Sequence, residues 1–162
     1  MIPINTLQPP RTKGYVTYGL ILLNALVFIW QLTLSQSQLA STYFSMALVP
    51  CQIGGVPVGE TLLDALRSMF LHGSWTHLIG NMTFLWIFGR NIEDYLGHRK
   101  FLLFYLLTGF FASFSQVVIN TGLCVPMIGA SGAIAGILGA YLILYPGTRV
   151  RVMIIFFRFF PR

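Results

Sequence analysis

The stretch "GASGAIAGILGAYLILYPG", residues 129–147, decides how the fold is read. Its apolar run, 131–145, is closed by Pro146 and Gly147, which stop a helix. Fifteen residues make a helix of roughly 22 Å, short of a hydrocarbon core of ~30 Å. With the Pro146 end at one membrane face, Ser131 lies below the other face. The backbone ahead of it then enters the membrane without helical bonds, which is tolerated only when buried in protein or lining a wet cavity. A serine in that place is packing filler, a helix cap or a nucleophile, and the rest of the chain must decide.

The composition supports a membrane setting. Of 162 residues, 56% are hydrophobic and 9% charged, with a mean hydropathy of +0.75, whereas soluble domains carry about a quarter charged residues. The expectation is an all-α membrane protein, a polytopic helical bundle. The net charge of +6 is spread over the ends of apolar runs rather than gathered into a stripe, which excludes nucleic-acid binding. Cys51 and Cys124 fit neither a zinc site nor a disulfide framework, so no structural disulfide is expected.

Outward from residue 129, the chain divides into a leader and a membrane domain. Residues 1–15 read as a cytoplasmic N-terminal leader and 16–162 as the membrane domain. Residues 16–34 carry no charge and are long enough to span; the run is too long for a signal peptide and reads as a retained helix. A long connection, 35–73, is polar and Gly/Pro-rich first. It then holds "ETLLDALRSMF", whose Leu62, Leu63, Leu66 and Phe70 share one face, as in a helix lying at the interface. A second span runs from 74 to 88 and continues amphipathically toward Tyr95. A third covers 101–119, a fourth 131–145, and the run after Arg149 and Arg151 reads as the start of a fifth helix.

With a cytoplasmic N-terminus, the inner segments hold Arg11, Lys13, Arg90, Arg99, Lys100, Arg149 and Arg151, and the outer loops hold Arg67 alone. This bias sets the orientation and puts Ser131 in the outer half of the membrane. A helix N-terminus there offers unpaired N–H groups to a developing oxyanion. Gly132, Gly136 and Ala140, four apart, form a close-packing stripe for another helix.

"FLHGSWTHLIGNM" holds the second polar cluster, with His77 and Asn81 on one helical face. Metal binding by His72 and His77 is disfavoured, because neither an HExxH pattern nor a carboxylate cluster accompanies them. Interhelical hydrogen bonding and donation to an oxyanion both fit the spacing. A transporter or channel is not supported, for want of paired intramembrane charges or repeated halves.

Three motifs together carry a resemblance: His72-x4-His77-x3-Asn81, Gly89-x3-Glu93-x3-Gly97, and Gly129-x-Ser131-Gly132. With "MIPIN" ahead of the first span, the chain resembles the bacterial rhomboid intramembrane serine proteases along nearly its whole length. The resemblance implies that Ser131 is the nucleophile of a Ser–His dyad. His77 and Asn81, with backbone at Gly129, Ser131 and Gly132, would form the oxyanion hole. His72 would support the first loop, and Gly89 and Glu93 would anchor the cytoplasmic end of the second helix. Substrates would be transmembrane segments with helix-breaking, small-residue sites near the outer face. No metal or other cofactor is implied, the lipid bilayer is the expected setting, and the expected location is the cell (plasma) membrane. Oligomeric state is not specified.

The family's general-base histidine lies on a sixth helix, and no histidine follows His98 here. The expectation is therefore a fragment with four full transmembrane helices plus the start of a fifth, inactive alone for lack of a base. Ser131 would await that base, with the Gly132 stripe as docking face for the sixth helix. The alternative is a non-catalytic rhomboid-fold membrane protein that binds transmembrane segments.

Overall fold

The computed structural model describes residues 2–6, 10–148 and 150–153, with side chains over 10–148. Its helices are α1 (Tyr15–Leu32), α2 (Gln36–Met46), α3 (Val58–Ser68), α4 (Trp75–Phe84), α5 (Arg90–Leu96), α6 (His98–Ile119) and α7 (Ser131–Leu144). A π-helical segment, Leu85–Gly89, joins α4 to α5, so 75–96 is one continuous helical rod. Carbonyls along this rod gain side-chain donors: Arg90 Nε donates to Trp86 O (2.8 Å) and Asn91 Nδ2 to Ile87 O (3.0 Å). Two strands, β1 (Ile2–Thr6) and β2 (Val150–Met153), pair antiparallel.

The bundle is apolar outside and polar at selected places inside. On α1, Thr17, Leu20, Asn24, Phe28 and Gln31 are buried, while Leu22, Leu26 and Ile29 are exposed. Facing water, that arrangement would be unfavourable; facing lipid, it is what the solvent dictates. The same inversion holds on α3, where Thr61, Ala65 and Ser68 face the protein and Leu62 and Leu63 face out. α1 and α6 are long and apolar enough to cross a membrane, and α7 is a shorter apolar helix. The chain is a polytopic helical membrane bundle. Its core, formed by Leu20, Leu85, Phe88, Phe101, Tyr105, Ile137 and Tyr141 among others, lies between α1, the 75–96 rod, α6 and α7.

Three expectations need correction. The stripe of Gly132 and Gly136 is not a free docking face, because α6 already occupies it. A Cβ on Gly132 would stand 2.6 Å from Ala112 Cβ, and one on Gly136 2.5 Å from Thr108 Cβ. Small residues let these two backbones approach, and the exposed side of α7 carries Ser131, Ala135 and Leu142 instead. Next, Cys51 and Cys124 form a disulfide, with Cα atoms 5.1 Å apart across 73 residues of sequence. Neither loop looks like a stapled framework in sequence; they meet because both leave the same end of the bundle. Lastly, the run after Arg149 opens as β2 rather than as a fifth helix. Arg149 and residues 154–162, Arg158 among them, lie outside the described residues.

The first connection also contains a helix, α2, within the part that reads only as polar and Gly/Pro-rich. "SQSQ" carries its start signal: Ser35 Oγ accepts from Gln38 N–H, and the Gln38 side chain accepts from Ser35 N–H.

At the opposite end of the bundle from Ser131, α1 begins without a capping side chain, its N-cap being Gly14. Glu93 supplies the missing acceptor. Its buried carboxylate accepts from Val16 N–H (2.8 Å), Thr17 N–H (2.8 Å), Thr17 Oγ1 (2.7 Å) and His98 Nδ1 (2.6 Å). Negative charge at a helix N-terminus is favoured, and here it also satisfies orphan donors. Gly89 allows the crossing: a Cβ there would stand 2.9 Å from Leu85 Cδ1 and 3.3 Å from Thr17 Oγ1. Asp94 holds the leader by accepting from Thr12 N–H (2.8 Å) and Thr12 Oγ1. The Thr12 hydroxyl bond is the main reason its carboxyl sits below the ordinary aspartate range.

Candidate active site

The loop 120–130 delivers the chain from α6 into α7. Gly129 turns it with φ +114°, a conformation that a Cβ would strain. A Cβ there would also stand 2.6 Å from both Cε1 and Nε2 of His77, so the imidazole lies directly on the Gly129 backbone. Ser131 is the first helical residue and Ala130 the N-cap, with no side-chain capping bond. The first backbone bond into the helix is Ile134 N–H to Ala130 O (3.0 Å), so the N–H groups of 131–133 lack helical acceptors.

The Ser131 side chain therefore does not cap α7. It is exposed and makes no hydrogen bond among the described residues. It borders a cavity of about 210 Å³ with Ser68, Met69, Gln116, Met127, Gly129 and Gly132 in the lining. His77 and Asn81 are not in that lining; they back the Gly129 turn, with Asn81 Nδ2 3.5 Å from the same Cβ position. Ser131, His77, Asn81, Gly129 and Gly132 are thus gathered at one end of the bundle. Gly89 and Glu93 are at the other.

His72 is buried behind this group. Its Nδ1 is 3.2 Å from Phe70 O, and its Nε2 is 3.0 Å from Asn81 Nδ2. The carbonyl can only accept and the amide nitrogen only donate, which assigns the proton to Nδ1 and the lone pair to Nε2. One Asn81 N–H is thereby used, and the other has no partner among the described residues. The His72 and His77 rings meet edge to face, centroids 5.1 Å apart.

Two residues that the motifs do not include hold His72 in place. Gln31, at the end of α1, accepts from His72 N–H (3.0 Å) and donates to His72 O (3.0 Å). Tyr43 on α2 donates to the same carbonyl (3.0 Å). A buried glutamine in an apolar span was the available signal. Tyr43 had none, since it depends on α2.

The Rhomboid domain description matches residues 59–161. The chain belongs to the rhomboid family. Among its relatives, the mouse presenilin-associated rhomboid-like protein, mitochondrial, is 32% identical over 139 residues, covering 83% of this chain and 34% of its own length. The Bacillus subtilis rhomboid protease GluP is 40% identical over 77 residues, 48% of this chain and 15% of GluP. Rhomboid protein 1, mitochondrial, of Saccharomyces cerevisiae is 28% identical over 96 residues, 57% of this chain and 28% of the relative. The chain spans about a third of the length of the first of these relatives. No solved structure matches significantly. The rhomboid domain makes this a multi-pass membrane protein of a family that includes serine proteases.

Proposed function

We propose that this rhomboid is an intramembrane serine endopeptidase whose nucleophile is Ser131. The observation that carries the reading is the state of that residue: exposed on a cavity, free of capping duty, two residues after a glycine turn backed by His77 and Asn81. Attack of Ser131 Oγ on a peptide carbonyl would put negative charge on the carbonyl oxygen. The free Asn81 N–H, His77 and the unpaired N–H groups opening α7 are the donors for it. The substrate class is transmembrane segments with helix-breaking, small-residue sites near the end of the bundle that carries Ser131. Neither a metal nor another cofactor enters the reaction.

The hydroxyl proton needs an acceptor. His98 is bonded to Glu93 at the far end of the bundle, and both His72 ring nitrogens are engaged. The His77 ring lies against the Gly129 backbone, and we assign it to the oxyanion rather than to the Ser131 hydroxyl. Added imidazole should therefore serve as the proton acceptor for Ser131 in these 162 residues. In proteoliposomes, the 162-residue chain should cleave a single-span substrate with a Gly/Ala-rich, helix-breaking site only when imidazole is present. Ser131→Ala should abolish that cleavage, and His77→Ala or Asn81→Ala should lower it ~10²-fold. A folded chain that binds the substrate but never cleaves it would instead favour the non-catalytic, segment-binding reading.

The basic bias supports a cell-membrane orientation with the N-terminus cytoplasmic. A reporter fused after Tyr43 should appear outside and one fused after Gly97 inside. The reverse pattern would contradict the topology.

A further inference from the structure

The segment feeding the Gly129 turn is sewn to the first connection at three backbone positions. Cys51 N–H donates to Leu123 O (3.2 Å), Met127 N–H to Leu48 O (2.9 Å), and Gly129 N–H to Ser68 O (2.8 Å). Burial does not hold the near end of this segment, because Leu123 and Val125 are about half exposed. What holds it covalently is the Cys51–Cys124 bond, and both of these cysteines are themselves exposed. On the other side of the seam, Ala47, Leu48 and Val49 are buried and stay anchored by packing. The disulfide thus joins a fixed partner to a loop whose exposed near end is otherwise tied there by the Cys51 N–H to Leu123 O bond.

We infer that the Cys51–Cys124 disulfide is a thiol-exchange site whose redox state sets the order of the loop presenting Gly129 and Ser131. A dithiol reductant of the thioredoxin type would attack one sulfur as thiolate, forming a mixed disulfide and releasing the other cysteine as a thiol. Its second thiol then resolves the mixed disulfide. Two electrons and two protons pass to Cys51 and Cys124, and the reductant leaves as its own disulfide. Reduction frees residues 120–129 to fray, while the helices keep their packing. The inference rests on the seam contacts and not on the reactivity of Ser131.

The test is amide hydrogen exchange on the whole chain in lipid nanodiscs, oxidised and after treatment with a thioredoxin-type dithiol protein, then with dithiothreitol. The cysteines should be reduced while α6 and α7 remain protected, and exchange at Met127 and Gly129 should rise at least tenfold. The double variant Cys51→Ser/Cys124→Ser should reproduce the reduced pattern without any reductant. Three results would overturn the inference. The disulfide could resist reduction until α6 and α7 also lose protection. Reduction could leave Met127 and Gly129 as protected as before. The double variant could match the oxidised protein.

Discussion

Gly129→Ala should disable the site while leaving the bundle folded. Two costs combine at this position. A non-glycine residue at φ +114° is strained by about 1–2 kcal/mol. Its Cβ would also collide with the His77 ring, 2.6 Å away, and forced overpacking costs about 1–3 kcal/mol. The chain can relieve the collision only by moving His77 or the turn, and either displaces the donors from Ser131. The expected result is a loss of imidazole-assisted cleavage of ~10²-fold or more. Circular dichroism of the variant should match that of the parent. Cleavage at the parental rate would show that the contact between His77 and the Gly129 backbone is incidental.

The second large effect lies at the other end. Glu93→Ala should destabilise the protein by about 2–4 kcal/mol, because it strands several donors at the start of α1 and each unsatisfied buried donor costs about 1–3 kcal/mol. It removes the acceptor for Val16 N–H, Thr17 N–H, Thr17 Oγ1 and His98 Nδ1 together. Thr17→Ala removes one of those donors and should cost about 1 kcal/mol. Glu93→Gln should fall between them, since an amide keeps an acceptor oxygen but sets an NH₂ group among donors. Thermal unfolding in detergent measures the series. A Glu93→Ala protein melting with the parent would remove the capping role assigned to this carboxylate.

The elements legible in the sequence are those whose signals are local. Four apolar helical stretches, the break at Pro146, and the face shared by His77 and Asn81 all follow from spacing along the chain. The rest depends on which element meets which. Gly132 and Gly136 read as a packing stripe, but the identity of the helix they pack against, α6, is a tertiary fact carried by Thr108 and Ala112. The cysteine pairing is not legible for the same reason: 73 residues apart, the two loops become neighbours through backbone bonds between Cys51 and Leu123 and between Met127 and Leu48. Helix α2 was legible in principle through its Ser35–Gln38 capping box. Gln31 reads as a stray polar residue until the backbone of His72 is set against it.

The central claim is that Ser131 is a nucleophile held ready at the start of α7. Intact-mass analysis after exposure to a fluorophosphonate probe tests it without requiring any substrate. The 162-residue chain should gain no adduct in buffer alone. With added imidazole it should gain one phosphonyl group, located by peptide mapping at Ser131 and absent from Ser131→Ala. A correctly folded chain that stays unmodified at every imidazole concentration would contradict the account. An adduct at Ser131 that forms without imidazole and disappears in His77→Ala would keep Ser131 as the nucleophile and reassign His77 from the oxyanion to the base.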